Sequence, residues 1–186
     1  MIYPITVYGD PLLRKVAQPI DKDFDNLNEL IENMFETMYH SDGVGLAAPQ
    51  VGKSLRLFVV DASSAAEEEP ELKGFKKVFI NPEILERTGD EWIMNEGCLS
   101  LPEIREDVSR PAHVKIKYQD ENLEEHLEEY DGFAARVIQH EYDHLDGILL
   151  IDYLNPLKKR LLKGKLTAIS KGKVRPAYRI VVPGKK

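Results

Sequence analysis

Apolar residues at Phe24, Leu27, Ile31, Met34 and Met38, with Leu30 and Phe35 beside them, fall at spacings of three and four. That period predicts an amphipathic helix of about four turns, with Asp23 and Asp25 near its start and an end near Ser41. Before it, Asp10 to Val16 reads as a short helical turn after an extended start. Beyond it the stretch Asp42 to Gly52 packs Gly43, Gly45, Ala47 and Ala48 together, which predicts a loop whose backbone comes close to something. Neither G-x-G-x-x-G nor a following Gly-Lys-Ser/Thr is present, so a peptide-binding edge suits it better than a phosphate cradle. The period then switches to two. Leu55–Asp61 and Lys77–Asn81 predict strands, with Ile84–Arg87 and Glu91–Met94 as shorter neighbours. Residues 62–74, with Glu67, Glu68 and Glu69 in a row, read as a solvated surface excursion. His113–Tyr118 and Leu123–Glu128 alternate around Asp120-Glu121-Asn122, a hairpin that delivers the chain to its next helix. There Gly132 to Ile138 is rich in helix formers, Asp131 is placed to cap the first turn, and Gly147 offers a stop. Ile148–Ile151 reads as a short buried segment, residues from about Pro156 to Ser170 as a basic helix, and Tyr178–Val182 as a last strand.

With 186 residues, 42% of them hydrophobic, the chain has material for one core, and no repeat or linker divides it, so residues 1–186 read as one domain. The first residues lack a basic n-region and no 18-residue apolar run follows, which predicts a soluble, cytoplasmic protein without a membrane anchor. The net charge of −7 conceals an asymmetry. The segment 153–186 holds eleven Lys or Arg and no acid, leaving all 32 Asp and Glu to the rest of the chain. Such a tail either docks on the acidic body or offers a patch for a polyanion such as ribosomal RNA.

The candidate chemistry centres on Gln139-His140-Glu141-Tyr142-Asp143-His144, an H-E-x-x-H pattern on the second predicted helix. At 3.6 residues per turn both imidazoles share a face and reach one metal ion, while Glu141 stands close enough to act on a water there. That division of labour suits metal-assisted hydrolysis. Val137 at i−3 and Phe133 at i−7 share the face, either as core or as a pocket wall. A catalytic site needs a third protein ligand. The single cysteine, Cys98, excludes an intrachain disulfide; read alone it is equally a small buried hydrophobe, but Gly97 beside it permits close backbone approach. His40, His113 and His126 have no partner at a useful spacing. The whole reads as an α+β fold of mostly antiparallel β-sheets packed around a central metal-binding helix, with an N-terminal and a C-terminal helix.

Three blocks occur in order: Gly43-x-Gly45-x-Ala47-Ala48-x-Gln50, Glu96-Gly97-Cys98-Leu99-Ser100 and Gln139-His140-Glu141-x-x-His144. Together they resemble the peptide deformylases, and the resemblance runs from Asp10-Pro11-x-Leu13-Arg14 to at least Tyr153. It implies hydrolytic removal of the formyl group from the N-terminal formyl-methionine of nascent polypeptides, with release of formate. By that similarity Cys98, His140 and His144 hold the metal, Glu141 moves the proton, and the Gln50 amide and the Leu99 N–H stabilise the oxyanion. Substrate-binding positions implied are Gly43, Val44, Gly45, Met94, Glu96, Gly97, Arg105, Phe133 and Val137. Among these, Gly43 to Gly45 would pair with the peptide, Val44, Met94, Phe133 and Val137 would enclose the methionine, and Arg105 would sit at the entrance, paired with Glu96.

Two His and one Cys suggest zinc by ligand type alone. The resemblance implies Fe²⁺ instead, one per chain, with Zn²⁺, Ni²⁺ or Co²⁺ able to substitute. A zincin-type metallopeptidase and a non-enzymatic metal-binding homologue are the rivals; the first would take a third ligand downstream, where Asp146 and Asp152 are poor candidates. The long 62–74 excursion and the strand-like tail past Ser170 depart from compact members of the family. The basic segment invites a contact with the ribosome.

Overall fold

In chain order the elements are strand β1 (Ile5–Thr6), helix α1 (Leu27–His40), strands β2 (Gly45–Ala47), β3 (Leu57–Asp61), β4 (Lys76–Gly97), β5 (Arg105–Gln119) and β6 (Glu125–Tyr130), helices α2 (Gly132–Leu145) and α3 (Pro156–Ser170), and strand β7 (Ile180–Val181). The computed structural model describes residues 1–184. Strands β2 to β6 form one antiparallel sheet in sequence order, and β1 pairs with β7 in a separate parallel ribbon.

The period-two pattern of β3 decides how the layers stack. Phe58 and Val60 point into a core shared with Ala134, Ala135, Val137 and Ile138 of α2, whereas Leu57 and Val59 point into a core shared with Leu30, Ile31, Met34 and Met38 of α1. Both helices therefore lie on this sheet, on opposite faces. Each fully buried Leu, Val or Phe contributes about 1.5–3 kcal/mol, and Phe58 adds a stack on Phe79 with ring centroids 4.7 Å apart. A third core under α3 gathers Leu101, Ile104, Val108, Leu149 to Ile151, Leu162, Leu166 and Ile169. Among the described residues no helix is long and apolar enough to cross a membrane.

Several elements differ from the sequence expectation. Lys77–Asn81, Ile84–Arg87 and Glu91–Met94 are parts of one 22-residue strand, β4. Its pairing with β5 shifts register between Ile80 and Glu83, between Ile84 and Glu86, and between Thr88 and Glu91. Such bulges bend a long strand, and the far half of the β4–β5 ribbon reaches the face of α2. The stretch 42–52 is not all loop: Gly45–Ala47 form the edge strand β2, followed by a 3-10 turn at Ala48–Val51. The 62–74 excursion leaves Glu67 and Glu68 in solvent as expected but buries Ala62 and Leu72. Asp131 makes no side-chain cap on α2. Glu69, from that excursion, takes the Phe133 N–H at 3.1 Å instead. The last strand is two residues long, because only Ile180 and Val181 find a partner in β1.

The hairpin β5–β6 carries its own polar cluster. Glu128 accepts hydrogen bonds from Tyr118 Oη at 2.6 Å, from Tyr130 Oη and from Lys77 Nζ at 2.9 Å. Burial alone would raise its carboxyl, but these donors outweigh it and hold the pKa at about 2. A carboxylate depressed in the folded state stabilises fully above its unfolded pKa and loses that contribution as pH falls toward the folded value. Glu128→Gln should therefore cost about 1–3 kcal/mol in denaturant unfolding at pH 7 and progressively less from about pH 4.5 down to pH 2. A deficit that stays constant across that window would show that the charge is not what these donors hold.

Candidate metal centre and cleft

Helix α2 brings His140 and His144 onto one face, with ring centroids 5.2 Å apart. Cys98, just past the end of β4, places Sγ 3.4 Å from His144 Nε2. Ligand atoms of Cys98, His140 and His144 all lie within 4.8 Å of one another. The donor set fits a divalent ion of borderline softness: one thiolate-forming sulfur and two imidazole nitrogens, a combination with room for a fourth ligand. Burial and the neighbouring His140 push His144 well below its ordinary range, which keeps its imidazole neutral, as a ligand must be.

Behind His140 lies Glu96. Its Oε2 stands 2.9 Å from His140 Nδ1, its Oε1 accepts from Arg110 Nε at 2.7 Å and from Arg136 Nη1 at 2.9 Å, and Arg110 Nη2 closes a bidentate pair at 3.0 Å. Burial would raise the Glu96 carboxyl, but the hydrogen bonds from His140 and Arg110 reverse the sign and hold it far below the usual range. An ionised Glu96 holds a proton on His140 Nδ1; against burial, the bonds to Cys98 and Glu96 raise His140 well above its ordinary range, so a cation would bind Nε2 by displacing its proton. Arg110 continues to Asp143 Oδ2 at 2.7 Å, where Tyr153 Oη also donates at 2.6 Å. The expected pairing of Arg105 with Glu96 is not made. Arg105 bonds Asn95 instead, Nε to Oδ1 at 2.9 Å and Nη2 to the carbonyl at 3.1 Å, because both Glu96 oxygens are already occupied by protein donors. Its guanidinium lies against Gly97, where a Cβ would come within 2.6 Å of Arg105 Nη1.

Glu141 differs from the other buried acids. It is 4% exposed and its Oε2 has no hydrogen-bond partner. Burial pushes it up to about 7 against the pull of His140. Gly45 lies directly beside it: a Cβ there would stand 2.6 Å from Glu141 Oε1, so only glycine lets β2 pass this close. Gln50 is held in one orientation. The Ala47 N–H donates to its Oε1 at 2.9 Å, which turns Nε2 toward Cys98 Sγ at 3.6 Å and Ser100 Oγ at 3.3 Å.

These groups surround a cleft of about 480 Å³. Of the residues expected at the site, Gly43, Val44, Gly45, Gln50, Met94, Glu96, Gly97, Cys98, Leu99, Arg105, Phe133, Val137, His140 and Glu141 line it; His144 lies buried beneath. The rival downstream ligands are tied elsewhere, Asp146 to Arg56 at 2.9 Å and Asp152 to Arg14 at 2.6 Å. Residues the sequence reading did not find are Arg110 and Asp143, which are buried in the ion network, Arg136 and Tyr178, which also line the cleft, and Glu69 at the start of α2. Arg136 sits four residues before His140 on the same helix, a spacing that gave a usable signal; the others depend on long-range packing.

An unpaired carboxylate in the same cleft as two imidazoles and a thiol that could hold a metal ion is equipment for metal-assisted hydrolysis, which sets the class as a metal-dependent hydrolase. Comparison with known proteins makes the class specific. A family model described as polypeptide deformylase matches residues 2–160. The peptide deformylase of Christiangramia forsetii is 55% identical over 193 residues, covering 100% of this chain and 98% of its own, and that of Cytophaga hutchinsonii is 55% identical with 100% of both covered. The crystal structure of peptide deformylase from Thermotoga maritima superposes with a TM-score of 0.75 at 49% identity over 84% of this chain and 99% of its own. One from Legionella pneumophila does so at 0.82 and 38% identity, over 94% and 99%. The chain belongs to the polypeptide deformylase family, enzymes that remove the N-formyl group from nascent peptides. The metallopeptidase and non-enzymatic alternatives find no support in these relatives.

Replacing Glu69 by Ala leaves the Phe133 N–H without its acceptor at the start of α2, and should cost about 1 kcal/mol, or about 2–4 °C in thermal unfolding. Asp131→Ala, which removes no side-chain cap, should move the melt by much less. Equal losses in the two variants would assign the cap wrongly.

Proposed function

We propose that Cys98, His140 and His144 hold one divalent cation, Fe²⁺ in the cell with Zn²⁺, Ni²⁺ or Co²⁺ as substitutes, and that Glu141 is the acid–base group of deformylation. The observation that carries this reading is the buried, unpartnered Glu141 carboxylate in the same cleft as the three ligand atoms. A cation in that N₂S set supplies a Lewis acid that polarises the formyl group and lowers the pKa of the attacking water. Glu141 takes a proton from that water and returns it to the departing amine nitrogen as the formyl C–N bond breaks, giving formate and a free N-terminal methionine. Gln50 Nε2 and the Leu99 N–H face the charge that grows on the formyl oxygen, donors worth about 3 kcal/mol each in comparable sites. Glu96 acts on the orientation of His140 and not on the peptide.

The peptide lies along β2, the edge strand of the sheet, whose outer side is free to pair with an added strand near Gly43 to Gly45. Val44, Met94, Phe133 and Val137 enclose the methionine side chain, and Gly97 borders the peptide while letting Arg105 pack against it at the entrance. The chain is read as one catalytic unit, 1–186, working in the cytoplasm; within the described residues the β1–β7 pairing ties Ile5–Thr6 to Ile180–Val181.

The first test is formate release from a formyl-Met-Ala-Ser peptide by protein purified anaerobically with Fe²⁺. Glu141→Ala should keep its metal stoichiometry and lose about 10²–10⁴-fold in rate. A variant as fast as its parent would remove Glu141 from the mechanism, and a fully metallated parent that releases no formate would remove the whole reading. Admitting air should inactivate the Fe²⁺ form and spare a Ni²⁺ form; equal survival would count against iron.

The basic segment 153–186 is proposed to contact the ribosome. Lys159, Arg160, Lys163 and Lys165 of α3 are exposed and make no ion pair among the described residues, and only Lys158 is engaged, with Glu106 at 3.1 Å. Reversing these four charges should abolish salt-sensitive co-sedimentation with ribosomes while leaving formate release from the short peptide unchanged. Unaltered co-sedimentation would refute the contact.

A further inference from the structure

Tyr178 lies beyond the stretch that the family model matches, yet it lines the cleft and its hydroxyl donates to the Leu99 carbonyl at 2.8 Å. We infer that Tyr178 is a positioning residue for deformylation, holding the Leu99–Ser100 peptide of the Cys98–Leu101 turn in the one orientation that keeps Ser100 within reach of the Gln50 amide, one of the two donors aimed at the formyl oxygen. The inference rests on the proposed role of the Gln50 amide and adds to it the group that steadies it through Ser100.

The argument is one of peptide planes. The Leu99 N–H shares a rigid plane with the Cys98 carbonyl, and that carbonyl accepts from the Leu101 N–H at 2.9 Å, which closes a four-residue turn. The middle peptide of such a turn, here between Leu99 and Ser100, is the one that flips between the common turn types without breaking the closing bond. Its carbonyl is the group that Tyr178 holds. A flip would rotate ψ of Leu99 and φ of Ser100, and Ser100 Oγ is the group that Gln50 Nε2 reaches at 3.3 Å. One hydroxyl therefore steadies Ser100 and, through it, the Gln50 amide, while the closing bond of the turn holds the Leu99 N–H.

The tail that delivers Tyr178 is anchored on both sides. Ile5 N donates to the Arg179 carbonyl at 2.8 Å and Val7 N to the Val181 carbonyl at 3.3 Å, and the next residue of the same N-terminal segment, Tyr8, donates to the Ser100 carbonyl at 2.9 Å. Thus the segment that pairs with β7 also holds the far end of the turn. The Tyr178 ring packs with Leu99 against the α1-side core, which sets its distance from the carbonyl.

Tyr178→Phe keeps the ring and removes only the hydroxyl, and Tyr178→Ala removes both. In the full, metal-loaded chain, Tyr178→Phe should lower kcat on formyl-Met-Ala-Ser about five- to tenfold with KM within about twofold, because aim and not binding is lost. Hydrogen exchange of peptides covering 98–104 should rise while those covering 132–145 stay unchanged, with the melting temperature within about 2 °C. Tyr178→Ala should add a rise in KM from the missing wall. The inference is overturned if Tyr178→Phe keeps parental kcat and parental exchange at 98–104. It is equally overturned if exchange rises throughout the chain and the melt falls with kcat intact, the mark of a merely structural contact. A parent that releases no formate sinks the role assigned to the donors and this inference with it, whereas an active parent beside an unaffected Tyr178→Phe sinks the inference alone.

Discussion

Glu96 is 6% exposed and accepts from His140, Arg110 and Arg136 at 2.7–3.0 Å. A carboxylate that deep carries a desolvation cost of several kcal/mol, and so does each guanidinium, so none of these charges is stable there without the others. Glu96 and Asp143 balance Arg110 and Arg136, and the cluster joins the far half of β4, Arg110 of β5 and the middle of α2. The contact is costly as a source of stability and valuable as a source of uniqueness: α2 has one rotation in which Arg136, His140 and Asp143 all find partners. The pair of imidazoles inherits its orientation from that constraint.

Against this satisfied network, Glu141 stands out by being unsatisfied. Arg136 Nε and His144 Nδ1 on the same helix also lack partners, but Glu141 is the acid among them, and Gly45 leaves the space it occupies. An unpaired buried carboxylate is normally selected against on energetic grounds. Its presence one residue from His140, in an open cleft, separates the part of the helix that holds the fold from the part that faces a substrate. The edge strand β2 makes the same separation in the sheet. Its inner side is paired with β3, and its outer side is available.

How far the sequence reveals all this depends on the range of the interaction concerned. Glu141, His140 and His144 are legible because a helix converts a spacing of four into one face, whereas the role read for Gln50 comes only with the resemblance to the family. The β4 strand is misread as three because Asn81-Pro82 and Gly89-Asp90 carry turn chemistry. Pairing with β5 overrides those local preferences and absorbs both pairs as register shifts. Arg110, Glu69 and Tyr178 stay hidden for a different reason: their partners lie 14, 64 and 79 residues away, so nothing local marks them. The pairing guessed for Arg105 fails in the same way, since choosing between Glu96 and Asn95 requires knowing that Glu96 is already occupied.

The charge asymmetry follows a related logic. A basic tail on an acidic body could dock by ion pairs, but α3 docks through Leu162, Leu166 and Ile169, with Lys158–Glu106 its one ion pair among the described residues. Burial of apolar area is insensitive to salt, whereas exposed ion pairs are screened beyond about 8 Å at physiological ionic strength. Docking by the apolar stripe therefore keeps the helix in place without consuming its charge. The opposite face, with Leu157 and Leu161 also exposed, stays free. In the field of a polyanion such a molecule experiences a torque as well as a force, with α3 drawn in and the acidic body turned away, so orientation precedes contact.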